Sequence, residues 1–163
     1  DGYADALSTI GPELSKRGIP FHVFVTPEKL TSGDPRYLST PELCELATIP
    51  GATVGAHGAT HRSLTSLSIA DAEADLRSSK QQLEDILQTP ITTMSYPYGH
   101  VNELVREAAQ RVGFTVAACS KWGVNNEHSD ALLLNRLDMW AGDNSRTIEN
   151  KVLGYWNFLG RRT

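Results

Sequence analysis

The chain moves between two hydrophobic rhythms, a three-to-four-residue period and short continuous apolar runs. The clearest periodic segment is residues 68–88, where Ile69, Ala72, Leu76, Leu83, Ile86 and Leu87 recur on one helical face. Ser68 and Asp71 form a capping-box-like start, and Pro90 stops the pattern. Another helix follows Asn102 as its cap, carries Leu104, Val105, Ala108, Ala109 and Val112, and stops at Gly113. A first helix ends over residues 14–18, with Pro12 near its start. Thr40-Pro41-Glu42 opens a further one: a capping hydroxyl, proline at the first helical position, then an acid on the positive end of the dipole. Residues 145–159 close the chain as a helix with Ile148, Val152, Trp156 and Leu159 on one side. Between these lie runs that read as strands: 21–25, 53–56, 91–96, 114–118 and 132–137.

Strands alternating with helices at this spacing predict βαβ units and a largely parallel sheet. Residues 1–163 read as a single α/β domain without repeats or linkers. The composition, 40% hydrophobic and 21% charged, is that of a globular chain. A net charge of −4 lacks the basic surplus of a nucleic-acid binder, so no nucleic acid is expected as a partner. No apolar run approaches the roughly 18 residues that span a bilayer. The first residues are acidic and polar, unlike a secretory signal. Cys44 and Cys119 are too few for a disulfide framework, and their apolar contexts predict buried thiols.

In parallel α/β folds, chemistry collects where the chain leaves the C-terminal ends of the strands. His57-Gly58-Ala59-Thr60-His61 leaves such an end. Two imidazoles at this spacing either share one divalent metal or stand as ordinary polar loop histidines; spacing alone does not choose. The segment is no zincin site, because Gly58 stands where those have Glu. Asp1-Gly2-Tyr3-Ala4-Asp5 reads by itself as a terminal tail, and Ser95-Tyr96-Pro97-Tyr98-Gly99 as a strand closed by turn residues.

Together, in order and spacing, these three segments resemble the NodB-type polysaccharide deacetylases, carbohydrate esterase family four. Asp1-Gly2-Tyr3 is similar to the end of the family's T-F-D-D-G motif, His57 and His61 to its H-x-x-x-H motif with Leu64 downstream, and Tyr96-Pro97-Tyr98-Gly99 to the Y-P-Y-G of one branch. Gly18-Ile19-Pro20 before Phe24-Val25 resembles the family's approach to its second strand, so the resemblance runs from Asp1 to Leu137. It implies a distorted (β/α) barrel with fewer than eight strands. It also implies that Asp1, His57 and His61 hold one divalent metal, Zn²⁺, with Co²⁺, Ni²⁺ or Fe²⁺ as alternatives. One carboxylate and two imidazoles leave open coordination positions, as a catalytic site requires.

The implied reaction is metal-dependent removal of N-acetyl groups from hexosamine units of a glycan. In it the backbone N–H of Tyr98 stabilises the oxyanion, and Tyr96, Pro97 and Trp140 meet the sugar, with Tyr98 and Trp122 as further stacking faces. The sequence departs from the family in three places. The first Asp of T-F-D-D-G, the family's base, and its strand are absent, which implies a barrel incomplete at the N-terminus. No histidine follows Asn135, and the Y-P-Y-G branch, which resembles the poly-N-acetylglucosamine deacetylases, carries its acid histidine upstream of that strand. One missing N-terminal segment accounts for both, and the chain as given is expected not to turn over. His100 is the one internal residue considered as a substitute acid, while His128 reads as solvated. Thirdly, Ser95 stands where R-x-P-Y has Arg, and Arg136 is expected either to supply that guanidinium or to pair with Asp138. The alternative function is a glycan-binding module or pseudoenzyme of the same fold. The resemblance further implies a bacterial cell envelope or secreted location, an N-acetylated glycan as partner, and no protein partner.

Overall fold

The computed structural model describes residues 1–156. Five parallel strands form one sheet: β1 (Phe21–Val25), β2 (Ala52–Ala56), β3 (Thr93–Ser95), β4 (Val116–Trp122) and β5 (Leu134–Arg136). Their spatial order is their chain order. Each βαβ unit therefore adds its strand on the same side, the winding of a (β/α) barrel rather than the reversal of a doubly wound sheet. Phe21 to Val25 pair with Ala52 to Ala56, and Thr93 to Ser95 with Val116 to Ala118.

The helices are α1 (Gly11–Lys16), α2 (Pro27–Leu30), α3 (Thr40–Ala47), α4 (Ile69–Leu87), α5 (Glu103–Val112) and α6 (Ser145–Val152). Helices α3, α4 and α5 lie side by side against the sheet. Leu43, Leu46, Leu76, Leu83, Val105 and Ala109 meet Val54, Ala56, Met94 and Ala117 in one buried core. No described helix is long and apolar enough to cross a membrane.

Helices α4 and α5 start and stop as the sequence predicts: Ser68 and Asn102 accept from Asp71 and Val105 amides, and Gln88 and Gly113 end them in left-handed geometry. Other boundaries differ, each for a local reason. The first helix begins earlier, as a wide π-turn over Ala6–Ile10 that lets Pro12 sit inside a helical run without an N–H to donate. Gly11 closes that turn; a Cβ there would lie 2.6 Å from the Ala6 carbonyl oxygen. Ser39, not Thr40, caps α3, in a reciprocal box with Glu42. Strand β3 is shorter than predicted because α4 side chains take the Ile91 backbone: Glu84 accepts from its N–H and Lys80 donates to its carbonyl. Strand β4 starts later because the Phe114 N–H closes the α5 cap on the Ala109 carbonyl. Leu132 and Leu133 belong to a turn closed by Asp130 rather than to β5.

Helix α6 ends at Val152, with Gly154 at φ +80° just beyond it. Ile148 and Val152 are exposed, and the residue that α6 buries is Lys151. Leu159, predicted on the same helix, lies outside the described residues. Cys119 is buried as expected, but Cys44 is exposed, because it falls on the outer face of α3 while Leu43 and Leu46 turn inward.

Candidate metal centre and active-site cavity

Asp1 lies along the edge of β1, its ammonium donating to the Phe24 carbonyl at 2.8 Å. Gly2 follows at φ +84°, where an added Cβ would stand 3.2 Å from Val25, so only glycine takes this turn without strain. The Gly2 carbonyl accepts from the Leu38 N–H at 2.8 Å. These contacts aim the Asp1 carboxylate at the end of β2. His57 continues β2, its N–H donating to the Val25 carbonyl at 3.0 Å. The buried Thr26 hydroxyl donates to the His57 carbonyl at 3.1 Å and ties the two strand ends together.

His57 is buried, at 7% exposure. Its Nδ1 lies 2.7 Å from the Ser95 carbonyl, which can only accept, so Nδ1 carries the proton and Nε2 presents a lone pair. That Nε2 is 3.2 Å from Asp1 Oδ1, and His61 Nε2 is 3.1 Å from the same oxygen. The three donor atoms lie within 4.8 Å of one another. Burial, then the Asp1 ammonium, push His57 down to about 3. Burial first, then that ammonium and Lys29, also lower His61. His57 Nε2 is thus an acceptor facing a carboxylate acceptor, and a cation shared with His61 satisfies both. The donor set therefore fits a divalent metal of the zinc type.

The loop that carries His61 is held from outside. Asp75, on α4, accepts from the Ala59 N–H at 2.8 Å and the Thr60 hydroxyl at 2.7 Å. Gly58 sits at φ +70°, against Asp75 and Pro97, and His61 itself is left-handed at φ +55°. The His61 ring meets Tyr98 edge-on at 4.7 Å between centroids. Tyr98 is exposed, at φ +59°. Gly99 after it passes so close to Ser120 that a Cβ would come within 2.0 Å of the hydroxyl.

A cavity of about 630 Å³ opens over these groups, lined by Asp1, Tyr3, Asp5, His57, His61, Tyr98 and Arg136 among others. This is within the usual range of ligand sites, ~300–1,000 Å³. Arg136 donates through Nε to the Cys119 carbonyl at 2.8 Å and forms no ion pair among the described residues; the Asp138 carboxylate accepts from Trp122 instead. Asp5 stands at the start of the first helical segment, as read from the sequence, yet also lines the cavity. His22, on β1, lines it too.

Other expected site residues lie elsewhere. Tyr96 offers no stacking face: its ring is fully buried and its hydroxyl donates to the Leu132 carbonyl at 3.0 Å. Pro97 is also buried, packed beside Gly58. Trp140 is 63% exposed but is not part of the cavity wall. Trp122 stacks on Trp156 around the Lys151 ammonium. His100 faces Ser63, 3.0 Å away, in a neighbouring hollow, and His128 is solvated as expected. Sequence reading missed Asp75, Thr26 and Tyr3. Only Asp75 left a trace, an acid beside Ala72, Leu76 and Ser79 on the inward side of α4.

The family model for polysaccharide deacetylases matches residues 1–117, and the chain belongs to that family. It is similar to YxkH of Bacillus subtilis (strain 168), 24% identical over 142 residues, which are 87% of this chain and 50% of the relative. Its fold is similar to the Streptococcus pyogenes deacetylase PplD solved in complex with acetate (TM-score 0.86, 19% identity, 93% of this chain and 66% of that one). It is likewise similar to IcaB from Ammonifex degensii (TM-score 0.78, 20% identity, 96% of this chain and 70% of that one). The chain thus spans half the length of its curated relative and about two thirds of PplD.

Proposed function

We propose that this chain is the metal-binding part of a glycan N-deacetylase that hydrolyses N-acetyl groups on hexosamine units. The observation that carries the reading is the convergence of Asp1, His57 and His61 at the strand ends, inside one cavity. Those three residues would hold the metal. A divalent cation there supplies Lewis acidity toward the acetamide carbonyl and makes a water more acidic.

The chain's own groups do the rest. His57 is fixed in one tautomer by Ser95, so its nitrogen is available without rearrangement. The Tyr98 backbone, set by the Gly99 turn, offers an N–H donor toward the developing oxyanion. Arg136, which forms no ion pair among the described residues, lines the cavity with its guanidinium, suited to orient a carboxylate or the substrate carbonyl. The reaction also needs a general base and an acid that protonates the leaving amine. Each such group is typically worth ~10²–10⁴-fold in rate. The Tyr96-Pro97-Tyr98-Gly99 motif favours the poly-N-acetylglucosamine branch. Such a substrate places the protein in the bacterial envelope or outside the cell.

The test is amine release from acetylated glucosamine oligomers with added zinc, comparing this chain with one extended upstream. Zinc-dependent turnover by the longer form is expected. Equal turnover by both would place the base and acid within this sequence. Glycan binding without turnover by either would favour a binding module.

A further inference from the structure

Beside the metal centre stands an aromatic pair that the reaction above does not use. Tyr3 lies two residues after Asp1, lines the same cavity and is 47% exposed. Its ring stacks on Tyr37 at 4.9 Å between centroids, with 23° between the planes. The pair is fixed from both sides. Tyr3 and Tyr37 form an antiparallel bridge, the Ala4 N–H donates to the Arg36 carbonyl at 2.9 Å, and the Leu38 N–H to the Gly2 carbonyl at 2.8 Å. On Tyr37 rest the Lys29 ammonium, 5.0 Å from the ring centre, and the Arg36 guanidinium, 5.7 Å away. Arg36 is itself forked onto the Asp34 carboxylate.

An exposed tyrosine held this firmly has already lost the freedom that binding would otherwise remove. Its ring face is negative at the centre and attracts positively polarised C–H groups, while its hydroxyl stays wet. One face of a pyranose ring is a patch of C–H groups rimmed by hydroxyls, which matches that surface. Tyr3 itself lines the cavity that would hold the reacting sugar, so the next ring of a glycan chain has this wall within reach.

We propose that Tyr3, backed by Tyr37, is the platform on which the sugar next to the one being deacetylated stacks, so that the protein prefers oligomers to single sugars. This rests on the deacetylase reading of the cavity. The test uses the full-length protein with zinc and the variants Tyr3→Ala, Tyr3→Leu and Tyr3→Phe. Amine release is measured on acetylated glucosamine pentamer and monosaccharide, and pentamer binding by saturation-transfer NMR.

With Tyr3→Ala and Tyr3→Leu, the preference for pentamer over monosaccharide falls about tenfold, through KM, and pentamer binding weakens equally. Tyr3→Phe retains both. An unchanged preference overturns the proposal, as does an equal loss on both substrates, which would make Tyr3 a support for Asp1. Tyr3-dependent pentamer binding without amine release upholds the platform and removes the deacetylase reading. Absence of pentamer binding by the unaltered protein overturns both.

Discussion

At the residue scale, burial does the work that makes His57 a ligand. A ring that titrates near its ordinary 6.5 in the unfolded chain is held down to about 3 in the folded one. Between those values the unfolded chain binds more protons, so stability is full above pH 6.5 and is lost as pH falls toward 3. The Ser95 carbonyl at Nδ1 favours the charged ring and limits the change. For the metal-free protein, urea unfolding at pH 7 and pH 4 is expected to differ by on the order of 3 kcal/mol from this residue. The variant His57→Gln removes that part of the slope, and an unaltered slope would show that another group sets it. The two-histidine spacing was legible from the sequence. The Ser95 carbonyl that fixes the tautomer was not, since backbone groups leave no mark in residue types.

Elements act here mainly as clamps. Helix α4 does more than cover the sheet: through Asp75 it fixes the loop between His57 and His61. The variant Asp75→Ala frees the Ala59 amide and the Thr60 hydroxyl, and zinc affinity is expected to fall ~10–100-fold, as for other outer partners of metal ligands. Competition with a fluorescent chelator measures it, and undiminished affinity would mean that the loop holds its shape unaided. Helix α6 is clamped by a charge rather than by its apolar residues. Lys151 is 1% exposed, donates to the Asp138 carbonyl and the Asp143 carboxylate, and faces Trp122 and Trp156. Lys151→Met removes the ion pair and leaves Asp143 with the Trp140 N–H alone, and the docking of α6 is expected to weaken. Hydrogen exchange of the α6 amides reads this directly, and adding Asp143→Asn should restore part of the loss. Unchanged protection in Lys151→Met would show that the helix docks without the ion pair.

For the whole molecule, the consequence of a shared metal is a link between binding and folding. Asp1 is far in sequence from the loop that carries His57 and His61, and a cation that binds all three stabilises only the folded state. Zinc at about 100 times its dissociation constant should add ~2.7 kcal/mol, a rise of about 5–10 °C in Tm for a chain of this size. Chelation should reverse the rise, and Asp1→Asn or His57→Gln should abolish it. A Tm indifferent to zinc in the unaltered protein would refute the shared site.

The sequence by itself determined the alternation of strands and helices, the parallel α/β class, the caps of α4 and α5, and the His57–His61 pair. These rest on local periodicity, on capping chemistry and on motif spacing, all carried by neighbouring residues. Tertiary structure decided what depends on distant partners. Tyr96 is buried because its hydroxyl finds Leu132, β3 is short because Lys80 and Glu84 claim Ile91, and Tyr3 is a cavity wall because Tyr37 stands behind it. Two residues far apart in sequence carry no shared signal until the chain closes and places them within a hydrogen bond or a ring contact of each other.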